Sequence, residues 1–129
     1  MTRINCIPVE ELGAPHLVAE YRELPRVFGL ALKAANRGDR SWPDRYTLGK
    51  GHLKFFYARL GYLARRHRDL VAEMRRRGYR PRFQGIVRTD FPDIPDELWN
   101  DWTPTPEAQA LNRARISERL DAAAGGNGP

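Results

Sequence analysis

HLKFFYARLGYLARRHRDLVAEMRRR, residues His52–Arg77, decides the fold class of this chain. Leu53, Phe56, Tyr57, Leu60, Leu63, Leu70, Val71 and Met74 recur at helical spacing, which predicts one amphipathic helix from about His52 to Arg77. Arg59, Arg66, Arg76 and Arg77 fall off that stripe, and Gly78 is a good end signal. Upstream, Leu17, Val18, Tyr21, Leu24, Val27, Phe28 and Ala31 predict a second helix from about Ala14 to Asn36. Pro25 should kink it, because proline lacks a backbone donor and crowds the preceding turn, and Gly38 should stop it. Downstream, Thr105-Pro106-Glu107 sets a capping threonine before a proline at the first helical position. The third helix continues to about Ala123 on a weaker stripe through Ala108, Leu111, Ile116 and Leu120. The connections Arg37–Lys50 and Tyr79–Pro104 are rich in proline and turn residues, and nothing reads as a paired strand. The expectation is an all-α fold: one compact domain over residues 1–124, three main helices with long connecting loops, and a flexible tail over 125–129.

The chain has 129 residues, 41% of them hydrophobic, enough for one modest core. No apolar run approaches the roughly 18 residues of a membrane span. The stretch MTRINCIPVEELG carries two acids and no apolar segment, against a secretory signal. Cys6 is the single cysteine, so an internal disulfide framework is excluded and a cysteine-built zinc site is not expected. His16, His52 and His67 offer no metal-ligand spacing, and no cofactor is expected. A soluble, cytoplasmic domain with an anionic partner is what remains.

The charge is unevenly placed. Lysine plus arginine total 22 against 16 acids, a net charge of +6, and residues 1–88 hold 19 of the cations against 8 acids. Arginine presents a planar donor fork that matches phosphate oxygens. A basic face opposite an acidic end orients a polyanion, which points to nucleic acid, although a solvated helix face would account for the composition equally well. Within Glu20-Tyr21-Arg22-Glu23-Leu24-Pro25-Arg26, Arg22 and Arg26 share a face and Glu23 lies one step round. By spacing alone this is an ordinary surface ladder of ion pairs, and His16 is an ordinary capping or packing histidine.

Longer motifs change that reading. Thr2-Arg3-Ile4-Asn5, HLVAEYRELPRVFG (His16–Gly29), LGKGHLKFFYARL (Leu48–Leu60), Asp93-Ile94-Pro95 and ARISERL (Ala114–Leu120) closely resemble the pyrimidine-dimer DNA glycosylase/AP lyase family. The resemblance covers nearly the whole chain. It implies removal of the initiator methionine and attack by the α-amino group of Thr2 on C1′ of the damaged nucleotide. Base loss then leaves an imine to the opened sugar, and β-elimination cuts the strand on the 3′ side. An α-amine suits this work: with a pKa near 7.7–8.0 it is roughly 10% neutral at pH 7, against about 0.04% for a lysine near 10.4. Neighbouring Arg3, Arg22 and Arg26 should lower it further.

Residue by residue, the resemblance makes Glu23 the essential carboxylate that stabilises positive charge on the sugar and handles protons. Arg22 and Arg26 would grip phosphates flanking the lesion, Arg3 would do so beside the nucleophile, and His16 would position the sugar or move a proton. Arg115 and Arg119, four apart on one helix face, match cations that touch the DNA backbone. Lys33, Lys50, Lys54 and the Arg65–Arg82 cluster are weaker candidates for that contact. The substrate would be double-stranded DNA carrying pyrimidine dimers or abasic sites, bound by a monomer, kinked, with a base opposite the lesion flipped out. A bacterial nucleoid-associated or phage-encoded enzyme is the implied setting.

The chain departs from the family at its end. A phage member carries a tail rich in tryptophan, tyrosine and lysine, whereas this chain ends Asp121-Ala-Ala-Ala-Gly-Gly-Asn-Gly-Pro129. Trp99 and Trp102 are the candidates to replace that tail, against the simpler expectation that they pack on the core. The departure leaves a second substrate open: an abasic site alone, or another damaged base. A non-catalytic DNA-binding domain on the same scaffold is a third reading.

Overall fold

The computed structural model describes residues 3–126, with side chains to Asp121. Helix α1 (Ala14–Glu23) and α2 (Pro25–Asn36) follow a short 3-10 turn at Val9–Glu11. Then come α3 (His52–Phe55), α4 (Leu60–Arg76), 3-10 turns at Arg88–Asp90 and Asp96–Leu98, and α5 (Pro106–Gly126). Among the described residues there is no strand beyond a single antiparallel bridge, Arg59 to Trp99. The all-α architecture with long connections is therefore as the hydrophobic period predicts. None of the helices described is long and apolar enough to cross a membrane.

The local stop and start signals act where they stand. Gly38 (φ +73°) closes α2 with two bonds, Gly38 N–H to Ala35 O and Asp39 N–H to Ala34 O, both 2.9 Å. Gly78 (φ +89°) does the same for α4 through Arg75 O and Met74 O. Thr105 Oγ1 accepts the Ala108 N–H at 3.1 Å, the expected cap of α5. That helix continues to Gly126, past Ala123 and into the expected tail.

Pro25 breaks the first helical segment in two. Leu24 keeps helical angles, but Pro25 cannot donate to the carbonyl of Tyr21 four residues back. The His67 ring, reaching from α4, supplies the missing donor at Tyr21 O, 3.2 Å away. The Tyr21 and His67 rings also stack at 5.4 Å, so α1 and α4 are locked where the helix is cut.

The helix expected over His52–Arg77 is also broken, and here the apolar period misleads. Residues 56–59 tighten into turns bonded three residues back, such as Arg59 N–H to Phe56 O, and the chain at residues 99–100 pairs there in place of an α-helical ladder. Tyr62 N–H donates to Asn100 O at 3.2 Å, and Asn100 Nδ2 donates to Ala58 O at 2.9 Å. A Cβ on Gly61 would stand 2.9 Å from Trp99 O, so only glycine admits this approach. Arg59 closes the end of α3, donating to Phe55 O at 2.6 Å.

The core lies between α1, α2 and α4, with Leu17, Leu24, Phe28, Leu60, Leu63 and Leu70 fully buried. Tyr46, Phe55, Phe56, Tyr62 and Trp102 extend it as edge-to-face and stacked rings. Phe28 packs against Phe91 and Trp99. Trp99 and Trp102, both half-buried, thus pack on the core.

Candidate active site

The first described residues run through the interior without sheet or helix partners. Buried backbone must be hydrogen-bonded, so side chains from four directions satisfy it. Ile4 N–H donates to His52 Nε2 at 2.8 Å, and Tyr46 Oη donates to Ile4 O at 3.1 Å. Asn112 on α5 accepts both Cys6 N–H (2.7 Å) and Ile7 N–H (3.2 Å) on its Oδ1. Its Nδ2 donates to Asn5 Oδ1 at 2.7 Å, and Gln109 donates to Cys6 O at 3.2 Å. Asn5 Nδ2 in turn donates to Glu20 Oε1 at 2.9 Å. The polar network fixes the chain from Ile4 to Ile7 against α1, α3, α4 and α5 at once.

Arg66 anchors the network. It forks onto Glu20, Nε to Oε2 at 2.7 Å and Nη2 to Oε1 at 3.1 Å, and donates its third bond to Ile7 O. Both residues are buried. This corrects two expectations: Glu20 is not part of a surface ladder, and Arg66 is not a surface cation available to DNA. A buried charge pair of this kind persists because each charge is neutralised and fully bonded, and removing either partner strands the other.

Arg3, His16, Glu23 and Arg119, all singled out in the sequence, meet at one place. His16, Ala19, Glu20 and Glu23 repeat at intervals of three and four along α1, one helix face. With Arg3, Asn5, Ile116 and Arg119 they line a cavity of about 130 Å³. Arg26 stands at its rim, Nη1 to Glu23 Oε2 at 3.0 Å, an exposed pair worth little to stability. Arg22 is exposed one step round α1 and does not line the cavity. Thr2 lies outside the described residues; its neighbour Arg3 is at the cavity wall.

The cavity wall carries both signs, Arg3 and Arg119 on one side and the α1 carboxylates Glu20 and Glu23 on the other. Burial holds the Arg3 guanidinium below its ordinary pKa, and the charges of Arg119 and Arg115 lower it further. Arg3 Nη1 is buried with no hydrogen-bond partner among the described residues. Guanidiniums that repel Arg3, together with its unpartnered donor, suit an anion at this wall, and phosphate fits the donor fork. Arg115 also lies 3.5 Å from Glu118.

Other candidates are engaged elsewhere. Lys54 pairs with Asp39 at 3.1 Å, Arg65 with Asp101 at 2.9 Å, and Arg76 and Arg77 both with Glu73. Lys33, Lys50, Arg80 and Arg82 are exposed. Burial pushes the Cys6 thiol up to about 12, so it supplies no thiolate near neutral pH. Among the described residues no group of three or more His, Cys, Asp and Glu is placed to hold a metal ion.

A family described as pyrimidine dimer DNA glycosylase matches residues 1–85, two thirds of the chain. The chain belongs to that family. It is thereby placed among DNA repair glycosylases, proteins that answer damage in DNA. The matched stretch contains Arg3, His16, Arg22, Glu23 and Arg26 together with their supports Asn5, Glu20, His52 and Arg66. The α5 contributors Asn112, Arg115 and Arg119 lie beyond it and meet the family residues only through the fold.

The supporting shell was invisible in the sequence. Asn5 and Glu20 stand inside the family motifs, but nothing in their spacing marks them as buried. His52 reads as the start of an amphipathic helix, and its part in holding Ile4 depends on a loop and a chain segment 48 residues away.

Proposed function

We propose that this protein is a bifunctional DNA glycosylase/AP lyase that excises cyclobutane pyrimidine dimers, acting as a monomer with the α-amine of Thr2 as nucleophile. The amine nitrogen bonds to C1′ as the C1′–base bond breaks and the base leaves with the electron pair. The sugar ring then opens to an imine. Loss of a C2′ proton expels the 3′ phosphate and cuts the strand. Glu23 faces the developing cation and carries protons through rearrangement and elimination. His16 positions the sugar. Arg3, Arg115 and Arg119 hold one phosphate region, and Arg22 and Arg26 another.

A single observation carries this reading: Arg3, one residue from Thr2, shares a cavity with Glu23, His16 and Arg119. The buried network supports it further, since effective attack needs the nucleophile held within about 3–3.5 Å of its target. A chain end in solution loses that advantage. No metal-dependent step is needed in this scheme.

The test is a nicking assay on a duplex carrying one site-specific dimer, with and without borohydride. Strand cleavage and a covalent protein–DNA band on reduction are expected. Intact dimer DNA and no band, with protein lacking Met1, refutes the proposal. A lyase acting on abasic sites alone is the second reading, favoured by the core packing of Trp99 and Trp102. Cleavage of abasic but not dimer duplex would select it.

A further inference from the structure

The connection after α4 presents apolar surface where it is least expected. Tyr79, Phe83 and Val87 are 39%, 61% and 46% exposed, three of the five large apolar side chains exposed among the described residues. Arg80, Arg82 and Arg88 interleave with them, and no acid occurs from Gly78 to Thr89.

The backbone here is built rather than loose. Phe83 N–H donates to Tyr21 Oη at 2.9 Å, and Arg75 donates to Gln84 Oε1. Gly85 takes φ +109°, and a Cβ there would stand 2.7 Å from Arg68 Cγ. Arg68 Nη1 donates to Ile86 O at 2.8 Å, and Ile86 is buried. Phe83, Gln84 and Ile86 are thus each tied by a hydrogen bond, yet the Phe83 ring is largely exposed, with the Tyr21 ring 6.4 Å away. Holding the main chain rigid under an exposed aromatic ring gives no folding benefit that burial of that ring would not exceed.

The location gives it a use. Tyr21 and Glu23 point to opposite flanks of α1, and the exposed Arg22 lies between them. A helix is about 10–12 Å across, some three base steps of about 3.4 Å. A duplex running across α1, gripped at Arg22 with its lesion sugar at the Glu23 cavity, would meet the Phe83 loop within a few base pairs. Rigid aromatic rings among arginines match a ligand that offers both phosphate charge and π faces.

We propose that Phe83 is a specificity-determining wedge that stacks on a base of the duplex beside the lesion, with Arg80 and Arg82 on the adjacent phosphates. The inference rests on the glycosylase reading above. Tyr21 is its positioning residue, holding the loop through the Phe83 N–H.

The experiment compares wild type, Phe83→Ala and Phe83→Trp on matched duplexes holding one dimer, one abasic site or 2-aminopurine next to the lesion. Stacking on one base corresponds to about a 5- to 150-fold effect. Phe83→Ala is expected to cut dimer cleavage about ten-fold or more and abasic cleavage under about three-fold, because an abasic site is already unstacked. Phe83→Trp is expected to restore dimer cleavage, and wild type but not Phe83→Ala to change 2-aminopurine fluorescence on binding. The melting temperature should not move, since the ring is exposed. Equal dimer cleavage by Phe83→Ala and wild type overturns the wedge. So does a self-association seen by sedimentation that Phe83→Ala abolishes while cleavage is unchanged. A wild type that cuts neither lesion refutes the glycosylase reading instead, and the 2-aminopurine signal then still decides the stacking.

Discussion

Replacing Asn112 by alanine is the most direct challenge to the network that fixes the chain start. Asn112 is fully buried, 106 residues from Cys6, and satisfies three groups at once. These are the Cys6 and Ile7 N–H groups on its Oδ1 and the Asn5 side-chain oxygen on its Nδ2. Alanine leaves all three in the interior with no partner. Each stranded group costs about 1–3 kcal/mol, so about 3–6 kcal/mol in total is expected once some water enters the space. A domain of this size has a stability on the order of 10 kcal/mol. The variant should fold with its urea midpoint well down and its melting temperature lower by about 10–25 °C. Gln109→Ala removes one bond, to Cys6 O, and should cost about 1 kcal/mol. The assay is urea unfolding followed by circular dichroism, with the m-value checked for two-state behaviour. Under the proposed mechanism, Asn112→Ala should below its melting temperature also lose covalent trapping more than DNA binding, because the Asn5–Ile7 segment is no longer fixed. A cost under about 1 kcal/mol for Asn112→Ala, or a cost equal to that of Gln109→Ala, refutes the reasoning.

Other perturbations follow from the same geometry. Glu23→Gln should lower strand cleavage by at least about 10²-fold while leaving binding to dimer duplex intact, as read by nicking and by gel shift. Single changes Arg115→Ala and Arg119→Ala should each reduce the slope of log K against log salt by about one, and no change in slope removes them from the phosphate contacts. Burial first of all holds His52 and His67 below the ordinary imidazole pKa of about 6.5. The unfolded chain therefore binds protons first as pH falls, so their contribution is complete above about pH 6.5 and is lost below it. Urea midpoints should drop between pH 7.5 and 5.5, and a flat profile contradicts this. Gly61→Ala drives a Cβ to 2.9 Å from Trp99 O and should destabilise by about 1–3 kcal/mol, measured by the same unfolding curves.

What the sequence discloses is what short-range chemistry decides. Thr105, Gly38 and Gly78 act on backbone groups a few residues away, so the ends of α2, α4 and the start of α5 are readable. Pro25 is readable as a break, but the repair of the freed Tyr21 carbonyl by His67 is not, since that donor comes from 46 residues on. The gap at Phe56–Arg59 escapes notice for the same reason: Trp99 and Asn100 compete for its hydrogen bonds from outside the periodic window. Charge is the more instructive failure. Arg66 looks like any surface arginine until Glu20, 46 residues earlier, is brought against it in the interior. The candidate site divides likewise. His16 and Glu23 stand out only through the length of the motif around them, while the meeting of Arg3, Arg115 and Arg119 is a product of α5 lying across the chain start.

The decisive measurement is peptide mapping by mass spectrometry of the adduct captured with borohydride on dimer-bearing DNA. A deoxyribose remnant on the main-chain nitrogen of the peptide that begins at Thr2 is the expected result. A remnant on the Nζ of Lys33, Lys50 or Lys54, or an unmodified Thr2 peptide from protein that has cut the strand, would contradict the account.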